Sequence, residues 1–493
     1  MQIVEFAQKS ISAKNETKDL PVLSLTLLTK FTAVVVLLSL GPLAFASEKK
    51  TPVSFWKDVR PVLQVHCQGC HQPAKKGGDY LLTSYQAMMG PGESDEQPIV
   101  PGDAANSYLF QQIDPSGGVA EMPQGKPPLT MATVELIRRW ILEGAKDDSP
   151  KLDISAAKSG SPKFYATVPP ITAMDVSADQ RLMAVSGYHE VIVHDLSRLR
   201  ETGDASTSIV GRLAGVSERI ESICFSPNGK RLAVAGGSPG RLGEIQIWSL
   251  RENKLLFSQA GWHDCCFGVS WSPNGELVAF GCPDNSIQVI DATTGTTVFA
   301  NRSHSDWVLG TAFSMNSQKV VSVSRDRTMK LFDVAAKRFV TNLARFEATN
   351  SKIGIQAISH HPQRNEYLIG GTDRIARIYR GESNDDGKIS DESNLVQKFG
   401  AVPGRIFGVK FSIDGQRVII AGDQHRKGFV YEFHVDSPKK GKPMKNVEGG
   451  IFAAAFLDDD TTIASAGFES TVYLNDAKTG ESLGNLDPFP RRR

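Results

Sequence analysis

Trp271-Ser272-Pro273-Asn274-Gly275 (WSPNG) ends an apolar segment with a turn, and residues 225–229 (FSPNG) do the same 46 residues earlier. Seven such units follow one another, with apolar anchors spaced by 49, 46, 42, 45, 53 and 45 residues. The anchors are Val176, Phe225, Trp271, Phe313, Ile358, Phe411 and Phe456. An apolar strand, a turn and two alternating strands at this period are typical of a four-stranded propeller blade, and such blades close into a ring. The sequence therefore predicts an all-β, seven-bladed propeller over residues 164–493.

The units resemble WD repeats, most closely in the fourth. There His304, Ser322, Asp326 and the pair Phe332-Asp333 stand where that family links a turn His, a strand Ser, a turn Asp and Trp-Asp. Phe332 cannot donate the indole hydrogen bond, so the internal network is expected to depart from the family pattern. No unit contains Trp-Asp itself; the corresponding pairs include His194-Asp195, Trp248-Ser249, Ile290-Asp291, Phe332-Asp333 and Asn475-Asp476. Either residues 164–168 or residues 481–486 are expected to supply the last outer strand.

A second informative segment, Cys67-Gln68-Gly69-Cys70-His71, places two thiols and an imidazole within five residues. A CxxCH segment is the attachment signature of c-type haem, and the histidine is an axial ligand for its iron. At helical spacing Cys67, Cys70 and His71 share one face, so all three are expected to serve one cofactor. The sequence therefore predicts one covalently attached haem c.

Two other uses of a CxxC segment fit this chain less well. A structural zinc site needs four Cys or His ligands, and the sequence contains no second CxxC and no HxxxH segment. A thioredoxin-like redox site needs a βαβ setting, which the flanking sequence does not offer. Haem attachment is thus the favoured interpretation.

The sixth iron ligand is predicted to be Met122, which lies 51 residues beyond His71 in Glu121-Met122-Pro123. A thioether is a soft ligand that raises the iron potential, and the surrounding prolines stiffen the loop that carries it. The competing methionines of this region fall in predicted helical segments; they are Met88, Met89 and Met131. The metal ligands are therefore predicted as His71 and Met122.

The pattern around these residues predicts a small all-α domain. Ser54 is expected to begin a helix that carries the haem cysteines on its apolar side and ends before Gly77-Gly78. Thr130 is expected to cap a second helix that stops near Gly144. The apolar stripes are Phe55, Val59 and Leu63 in the first helix and Val134, Ile137 and Ile141 in the second.

Residues 54–146 resemble the planctomycete-type class of small c-type cytochromes. Besides CxxCH, the matching segments are 55–61 (FWKDVRP), 100–103 (VPGD), 107–109 (SYL), 121–123 (EMP), 128–130 (PLT), 138–141 (RRWI) and 144–145 (GA). The resemblance implies a small, all-helical, class I-like cytochrome c fold with haem c on Cys67 and Cys70 and His71/Met122 ligation. Family members often have Met-Pro-Pro where this chain has Met122-Pro123-Gln124, a departure that leaves the ligand in place.

A stretch rich in Lys, Ser, Pro and Gly separates the helical pattern from the repeats. The predicted organisation is multidomain: a cytochrome c domain at 47–146, a linker at 147–163 and the propeller at 164–493.

Near the start, residues 31–45 (FTAVVVLLSLGPLAF) follow Lys30 and lead into Ala44-Phe45-Ala46. This predicts a signal peptide over residues 1–46 and a periplasmic or otherwise exported protein. Because the polar lead of thirty residues is long, an uncleaved anchor at 31–46 is the alternative, and membrane contact is expected only in that case.

Composition narrows the choice of partners. With 55 basic and 54 acidic side chains, the chain has no charge bias toward nucleic acid or membrane lipid, so neither is expected as a partner. The cysteines outside CxxCH are too few for a disulfide scaffold and are expected to pack in the core, with a vicinal redox pair at Cys265-Cys266 as the weaker alternative. These cysteines are Cys224, Cys265, Cys266 and Cys282.

Residues 382–392 (ESNDDGKISDE) resemble a calcium-binding loop, with Gly387 at the turn and Ile389 two residues later. The twelfth position, which should be a bidentate Glu, is Ser393, and strands rather than helices are predicted on either side. A solvated acidic loop is the favoured interpretation, and no calcium site is predicted.

Two classes of function fit these features. The first is an exported electron carrier whose single haem transfers one electron at a time while the propeller docks a redox partner protein. The second is a propeller-based redox enzyme whose catalytic centre is fed by the cytochrome domain, so whether the chain is an enzyme stays open. The first is favoured because the propeller histidines, at positions 189, 194, 263, 304, 360, 361, 425 and 434, are scattered along the repeats. Redox sensing through release of a partner would use the same residues as the first class.

Overall fold

In the computed structural model, the described residues are 51–72, 75–115, 118, 120–149, 165, 167–346, 354–382, 394–458 and 460–490. The predicted signal peptide or anchor (1–46) and most of the calcium-like loop lie outside these residues, as does nearly all of the predicted linker. The boundaries placed at 46, 146 and 163 therefore stay predictions. No helix in the part of the chain that the structure describes is both long and apolar enough to cross a bilayer.

The region before the linker is a small helical unit, as the sequence predicts. Ser54 caps its first helical segment, because the Ser54 hydroxyl oxygen accepts a hydrogen bond from the Lys57 N–H (2.9 Å). Apolar residues from all of its helices form one core with Trp140 and Ile141 at its centre. Its elements are a π-helical turn (Phe55–Val59), α1 (Arg60–His66), β1 (His71–Gln72), β2 (Lys75–Lys76), a 3-10 turn (Gly77–Asp79), α2 (Tyr85–Met88), α3 (Tyr108–Ile113) and α4 (Met131–Leu142).

The first helix ends earlier than its sequence pattern indicates. The helix α1 stops at His66, and the CxxCH segment forms a hydrogen-bonded turn in which the N–H groups of Cys70 and His71 both donate to the Cys67 carbonyl (3.1 Å each). His71 then begins β1, which pairs with β2. One helical turn is thus kept, so the two thiols and the imidazole stay close, although the continuous helix does not reach them.

The second helix follows its prediction closely. Thr130 caps α4 by accepting a hydrogen bond from the Thr133 N–H (3.3 Å), and the three predicted apolar residues of the stripe are buried. The helix ends at Leu142, just before Gly144, which takes the left-handed conformation (φ +97°) that favours glycine.

Residues beyond the linker form seven antiparallel four-stranded sheets within the described chain, and the first strands of neighbouring sheets pack against one another. This confirms the seven-bladed propeller, with each predicted anchor on a first strand. Blade 1 contains β3 (Met174–Val176), β4 (Leu182–Ser186), β5 (Glu190–Asp195) and β6 (Ile209–Ala214), and blade 2 contains β7 (Arg219–Phe225), β8 (Arg231–Ser238), β9 (Leu242–Ser249) and β10 (Lys254–Trp262). Blade 3 contains β11 (Phe267–Trp271), β12 (Leu277–Gly281), β13 (Ile287–Asp291) and β14 (Thr297–Asn301), and blade 4 contains β15 (Val308–Phe313), β16 (Lys319–Ser324), β17 (Thr328–Asp333) and β18 (Arg338–Arg345). Blade 5 contains β19 (Ile355–His360), β20 (Glu366–Gly371), β21 (Arg377–Arg380) and β22 (Leu395–Lys398). Blade 6 contains β23 (Arg405–Phe411), β24 (Arg417–Gln424), β25 (Lys427–His434) and β26 (Lys442–Pro443). Blade 7 contains β27 (Ile451–Leu457), β28 (Thr462–Gly467), β29 (Val472–Asp476) and β30 (Ser482–Leu486).

The recurring turn after the first strand has a chemical cause. In blade 3 the Ser272 hydroxyl donates to Asn274 Oδ1 (2.7 Å), its oxygen accepts from the Leu277 N–H (2.9 Å), and Gly275 takes φ +74°. Such side chains supply locally the hydrogen bonds that a tight turn needs. The same bond links Ser177 to Asp179, Ser226 to Asn228, Ser314 to Asn316 and Ser412 to Asp414.

Blade 4 retains most of the network of a WD repeat. His304 Nε2 lies 2.7 Å from Ser322 Oγ, and its Nδ1 lies 2.8 Å from Asp326 Oδ2. The Thr328 hydroxyl donates to Asp326 Oδ1 (2.6 Å). At the position of the tryptophan, Phe332 is fully buried and packs against neighbouring rings. The chain of hydrogen bonds therefore ends where the indole would have extended it.

Blade 1 contains two short helices that the repeat pattern does not predict. They are α5 (Leu196–Thr202) and α6 (Ala205–Ser208), and they lie between its third and fourth strands. The Asp195 carboxylate caps α5 by accepting from the Arg198 N–H (3.1 Å), and Gly203 ends it at φ +61°. This insertion accounts for the long spacing between the first two anchors.

Ring closure uses the second of the two predicted segments. The strand β30 completes blade 7 by pairing with β29, and all four strands of that blade come from the C-terminal part of the chain. Tyr165 contributes instead a hydrogen bond from its N–H to the Pro490 carbonyl (2.9 Å) and a ring contact with Phe489 (5.2 Å between centroids). The Ile171 N–H also donates to the Gly467 carbonyl (2.9 Å), which ties blade 1 to blade 7.

The helical unit contacts the propeller through α1. The Arg60 guanidinium donates to the carbonyls of Gly240 (3.1 Å) and Arg241 (2.8 Å), which lie in the turn between β8 and β9. The Gln64 amide donates to the same Gly240 carbonyl. Arg60 is only 7% exposed and stacks on the Trp56 ring (4.1 Å), and its burial, with Arg241 nearby, lowers its pKa to about 10. A side chain of the helical unit is thus held by backbone oxygens of blade 2.

Candidate functional site

The four residues predicted from the sequence line one cavity in the helical unit. Cys67, Cys70, His71 and Met122 all contribute to its wall, and its volume is about 630 Å³. That volume lies within the range of roughly 300–1,000 Å³ that is usual for cofactor and ligand sites. Apolar side chains complete much of the lining, among them Leu63, Leu82 and Ile137. The fold therefore brings the motif and the distant methionine to a common apolar space.

His71 is oriented by a backbone carbonyl. Its Nδ1 lies 3.2 Å from the Tyr80 carbonyl oxygen. A carbonyl can only accept, so Nδ1 is the donor in this contact, and in the neutral imidazole the lone pair is then on Nε2. Histidines that bind metals usually have their other nitrogen hydrogen-bonded in this way. The arrangement thus fits a histidine that binds iron through Nε2.

The two thiols differ in their surroundings. Cys67 is half-buried, and burial, slightly offset by nearby Lys126, raises its pKa to about 11. Cys70 is exposed at the edge of the same cavity. One thiol therefore lies against the apolar core and the other at the rim of the cavity.

Met122 is fixed by its backbone. The Met122 N–H donates to the Gln112 carbonyl (2.9 Å), which ties the loop to the end of α3, and the side chain packs against the core. Of the four methionines in the described part of this unit, Met122 is the one that lines the cavity. Met88 is buried in the core, Met89 packs on it and Met131 is 63% exposed. The geometry thus fits Met122 rather than its competitors as a ligand.

Two further residues shape the site without a signal in the motif. A Cβ on Gly77 would lie 3.3 Å from His71 Cε1 and 3.3 Å from the Cys70 carbonyl oxygen, so a side chain there would press on the imidazole. Tyr80 contributes its carbonyl to His71, and its ring also faces the imidazole (6.0 Å between centroids). The sequence indicates Gly77 only as the end of a helix. A backbone carbonyl that accepts a hydrogen bond, such as that of Tyr80, cannot be recognised from the type of residue.

The propeller histidines have separate structural surroundings. Those with hydrogen-bond partners are His194 with Ser208, His304 with Ser322 and Asp326, His361 with Gln363 and Arg364, and His434 with Asp436. His189 and His425 occupy turn positions with positive φ, where they take the left-handed conformation. Across the residues that the structure describes, no three or more His, Cys, Asp or Glu side chains are grouped so that they could hold a metal ion.

Two family models match the chain. Residues 67–125 match the model described as Planctomycete cytochrome C, a segment that begins at Cys67 and includes Met122. Residues 240–316 match the model described as the anaphase-promoting complex subunit 4 WD40 domain. The first match covers the four predicted site residues, and the second lies in blades 2 to 4.

Similar curated proteins include two that are named for their WD repeats. A WD repeat-containing protein 91 homolog from Dictyostelium discoideum is 25% identical over 36% of this chain and 23% of its own length. An uncharacterized WD repeat-containing protein from Synechocystis sp. is 30% identical over 28% of this chain and 39% of its own length. A periodic tryptophan protein 2 homolog from Caenorhabditis elegans is 20% identical over 57% of this chain and 27% of its own length.

The chain thus spans less than half the length of each of these relatives. The matches to the cytochrome model and to the WD40 model fall on the two regions that the fold separates. Residues 67–125 are thus similar to a planctomycete cytochrome c model, and the helical unit that contains them is joined to a seven-bladed propeller, part of which is similar to a WD40 model.

Proposed function

We propose that this chain is an exported electron carrier that binds one haem c through Cys67 and Cys70, with His71 and Met122 as the axial ligands. The observation that supports it is the meeting of these four side chains in one cavity, where the Tyr80 carbonyl lies within hydrogen-bond distance of His71 Nδ1. When bound, the haem would supply a reversible one-electron couple at its iron.

The residues of the domain prepare the site for that group. The Tyr80 carbonyl fixes the imidazole tautomer and increases its basicity, and the absence of a side chain at Gly77 leaves room for the ring. The backbone bond of Met122 to Gln112 holds the thioether at the cavity wall. Apolar walls keep water away, which favours the less charged state of a metal centre. If His71 and Met122 both hold the iron, no coordination position would be left for a substrate, and electron transfer would be outer-sphere.

The propeller is proposed as the docking platform for a redox partner protein. A closed ring of seven blades offers a broad, rigid surface, and WD-type rings are commonly interaction platforms. The hydrogen bonds of Arg60 and Gln64 to blade 2 connect the cytochrome domain to this ring, which supports a role for the propeller in the same electron-transfer complex. We also propose that a signal over residues 1–46 directs export. The cytochrome domain is proposed to span residues 47–146 and the propeller residues 164–493.

Spectroscopy of the full chain matured with haem tests the ligand assignment. Replacing His71 or either thiol should abolish stable haem binding, whereas Met122→Ala should keep covalent haem but allow carbon monoxide to bind the reduced iron. Met131→Ala is the matched control, because Met131 is exposed and lies outside the cavity wall. An unchanged six-coordinate spectrum in Met122→Ala, without carbon monoxide binding, would show that another residue is the sixth ligand.

A further inference from the structure

Three cysteines of blade 3 and its entry are buried together, away from the haem site. Cys265, Cys266 and Cys282 are 1%, 0% and 0% exposed. Cys266 and Cys282 belong to one apolar cluster as free cysteines, and each thiol shifts the pKa of the other. The sequence favours core packing of these cysteines, which their burial confirms, with a vicinal Cys265-Cys266 pair as the weaker alternative. Within this core, Cys266 shares its cluster with Cys282, which directly follows β12.

The strand register explains this contact. In the antiparallel pair of β11 and β12, Phe267 lies opposite Gly281, so the next position outward places Cys266 opposite Cys282. The N–H groups of the two cysteines donate elsewhere, to the carbonyls of Gly236 (3.0 Å) and Ser286 (2.9 Å). Opposed residues that do not exchange backbone hydrogen bonds have Cα atoms about 4.5 Å apart, which is within the range of roughly 4.4–6.8 Å that a disulfide spans. A bond between these sulfurs therefore needs little movement of the backbone.

We propose that Cys266 and Cys282 form a cross-strand disulfide that closes the inner hairpin of blade 3 when the chain folds in an oxidising compartment. The proposal depends on the export that is part of the proposed function, because such bonds persist outside the reducing cytosol. It does not depend on haem attachment, since neither cysteine belongs to the CxxCH segment.

The chemistry is two thiol–disulfide exchanges with a protein disulfide as oxidant. The thiolate of one cysteine attacks the donor disulfide, which forms a mixed disulfide and releases one donor thiolate. The second cysteine then attacks its partner's sulfur in the mixed disulfide, which forms the Cys266–Cys282 bond and releases the second donor thiolate. Two electrons pass to the donor, and the two protons lost by the cysteines are taken up as the donor becomes a dithiol.

The exchange must take place before blade 3 is packed. Both sulfurs are inaccessible in the folded chain, and burial raises the pKa of both thiols, so that little thiolate is present there. The two cysteines are only 16 positions apart, so they meet early when the hairpin forms. Once formed and buried, the disulfide is protected from reducing agents.

Peptide mapping of the full chain, purified from the cell envelope without reductant, tests the bond. The protein is unfolded in an alkylating agent and digested with a glutamate-specific protease, because Glu276 lies between the two cysteines, whereas no Lys or Arg lies between Lys254 and Arg302. The peptides on the two sides of Glu276 should stay linked until they are reduced. Cys265→Ser should keep this link, and Cys266→Ser should lose it.

Thermal unfolding gives a second readout. For the wild type and for Cys265→Ser, reduction of the unfolded chain before refolding should lower the Tm by about 3–6 °C, the effect expected for closing a loop of about 15 residues in a chain of this size. Cys282→Ser should show no such difference. The proposal is overturned if the wild-type map shows Cys266 and Cys282 both alkylated, or a link that uses Cys265. Haem content is measured by absorbance, independently of the peptide map. Failure of this bond is therefore distinguishable from failure of the cytochrome assignment.

Discussion

His194 occupies the position in blade 1 at which WD repeats carry tryptophan, and it is fully buried. Its Nδ1 lies 2.9 Å from Ser208 Oγ, and burial lowers its pKa to about 4. An imidazole can fill part of the space of an indole and keep a hydrogen bond inside the blade. Unlike the indole, however, it can take up a proton, so this degenerate repeat makes the stability of the propeller depend on pH.

The sign of that dependence follows from the lowered pKa. Between about pH 6.5 and pH 4 the unfolded chain binds a proton at His194 that the folded chain does not, so the free energy of unfolding falls as the pH falls. The slope from this residue is at most about 1.4 kcal/mol per pH unit. Denaturant unfolding between about pH 5 and 7 should show a shallower dependence for His194→Phe than for the wild type. Some dependence should remain, because burial also lowers the pKa of His360 to about 4. Equal slopes would mean that the pKa of His194 is not lowered in the folded state.

At the scale of elements, the sequence predicts the features whose determinants lie close together in the chain, and it misses those that depend on contacts between distant segments. The seven inner strands were predictable because turns such as 272–275 hold their chemistry within a few neighbouring residues. The CxxCH motif likewise places Cys67, Cys70 and His71 on one cavity, whereas Met122 reaches that cavity from 51 residues beyond His71. The helix α5 was missed although Asp195 and Gly203 are ordinary cap residues, because the repeat period outweighed them. The end of α1 was misplaced because the pairing of β1 with β2 takes over at His71. The Tyr80 carbonyl and the contact of Arg60 with blade 2 involve backbone oxygens, which sequence does not reveal.

The contact between α1 and blade 2 includes one buried guanidinium. Arg60→Ala removes two hydrogen bonds to the turn at Gly240-Arg241, and bonds to charged groups are worth about 1.5–3 kcal/mol each. The Arg241 carbonyl then loses its Arg60 donor, whereas the Gly240 carbonyl keeps its bond from Gln64. We expect amide hydrogen exchange at residues 239–242 to rise at least severalfold in Arg60→Ala. Arg138→Ala is the matched control, since Arg138 is exposed and pairs with Glu135 on its own helix. If both variants exchange like the wild type, the cytochrome domain is not held on blade 2 in solution.

At the scale of the whole molecule, the propeller is closed by packing at the junction of its first and last blades. One apolar cluster contains Met183 and Ile192 from blade 1 together with Leu457 and Val472 from blade 7. Phe489 belongs to the same cluster, although it lies beyond the last strand. Because no strand is exchanged between the two blades among the described residues, side-chain burial and a few backbone bonds hold the ring together at this point.

Phe489 is therefore expected to contribute more to stability than its place near the chain end indicates. It is 2% exposed, and truncating a buried Phe to Ala costs about 3–5 kcal/mol. Leu483→Ala is the control, because Leu483 lies in the adjacent strand β30 but is 56% exposed, and its removal should change stability by no more than about 0.5 kcal/mol. The difference in stability between the two variants is measured from their denaturant midpoints, with the m-value unchanged. Similar midpoints would show that the segment after β30 is not packed in solution, and that the ring is closed by the strands of blades 1 and 7 alone.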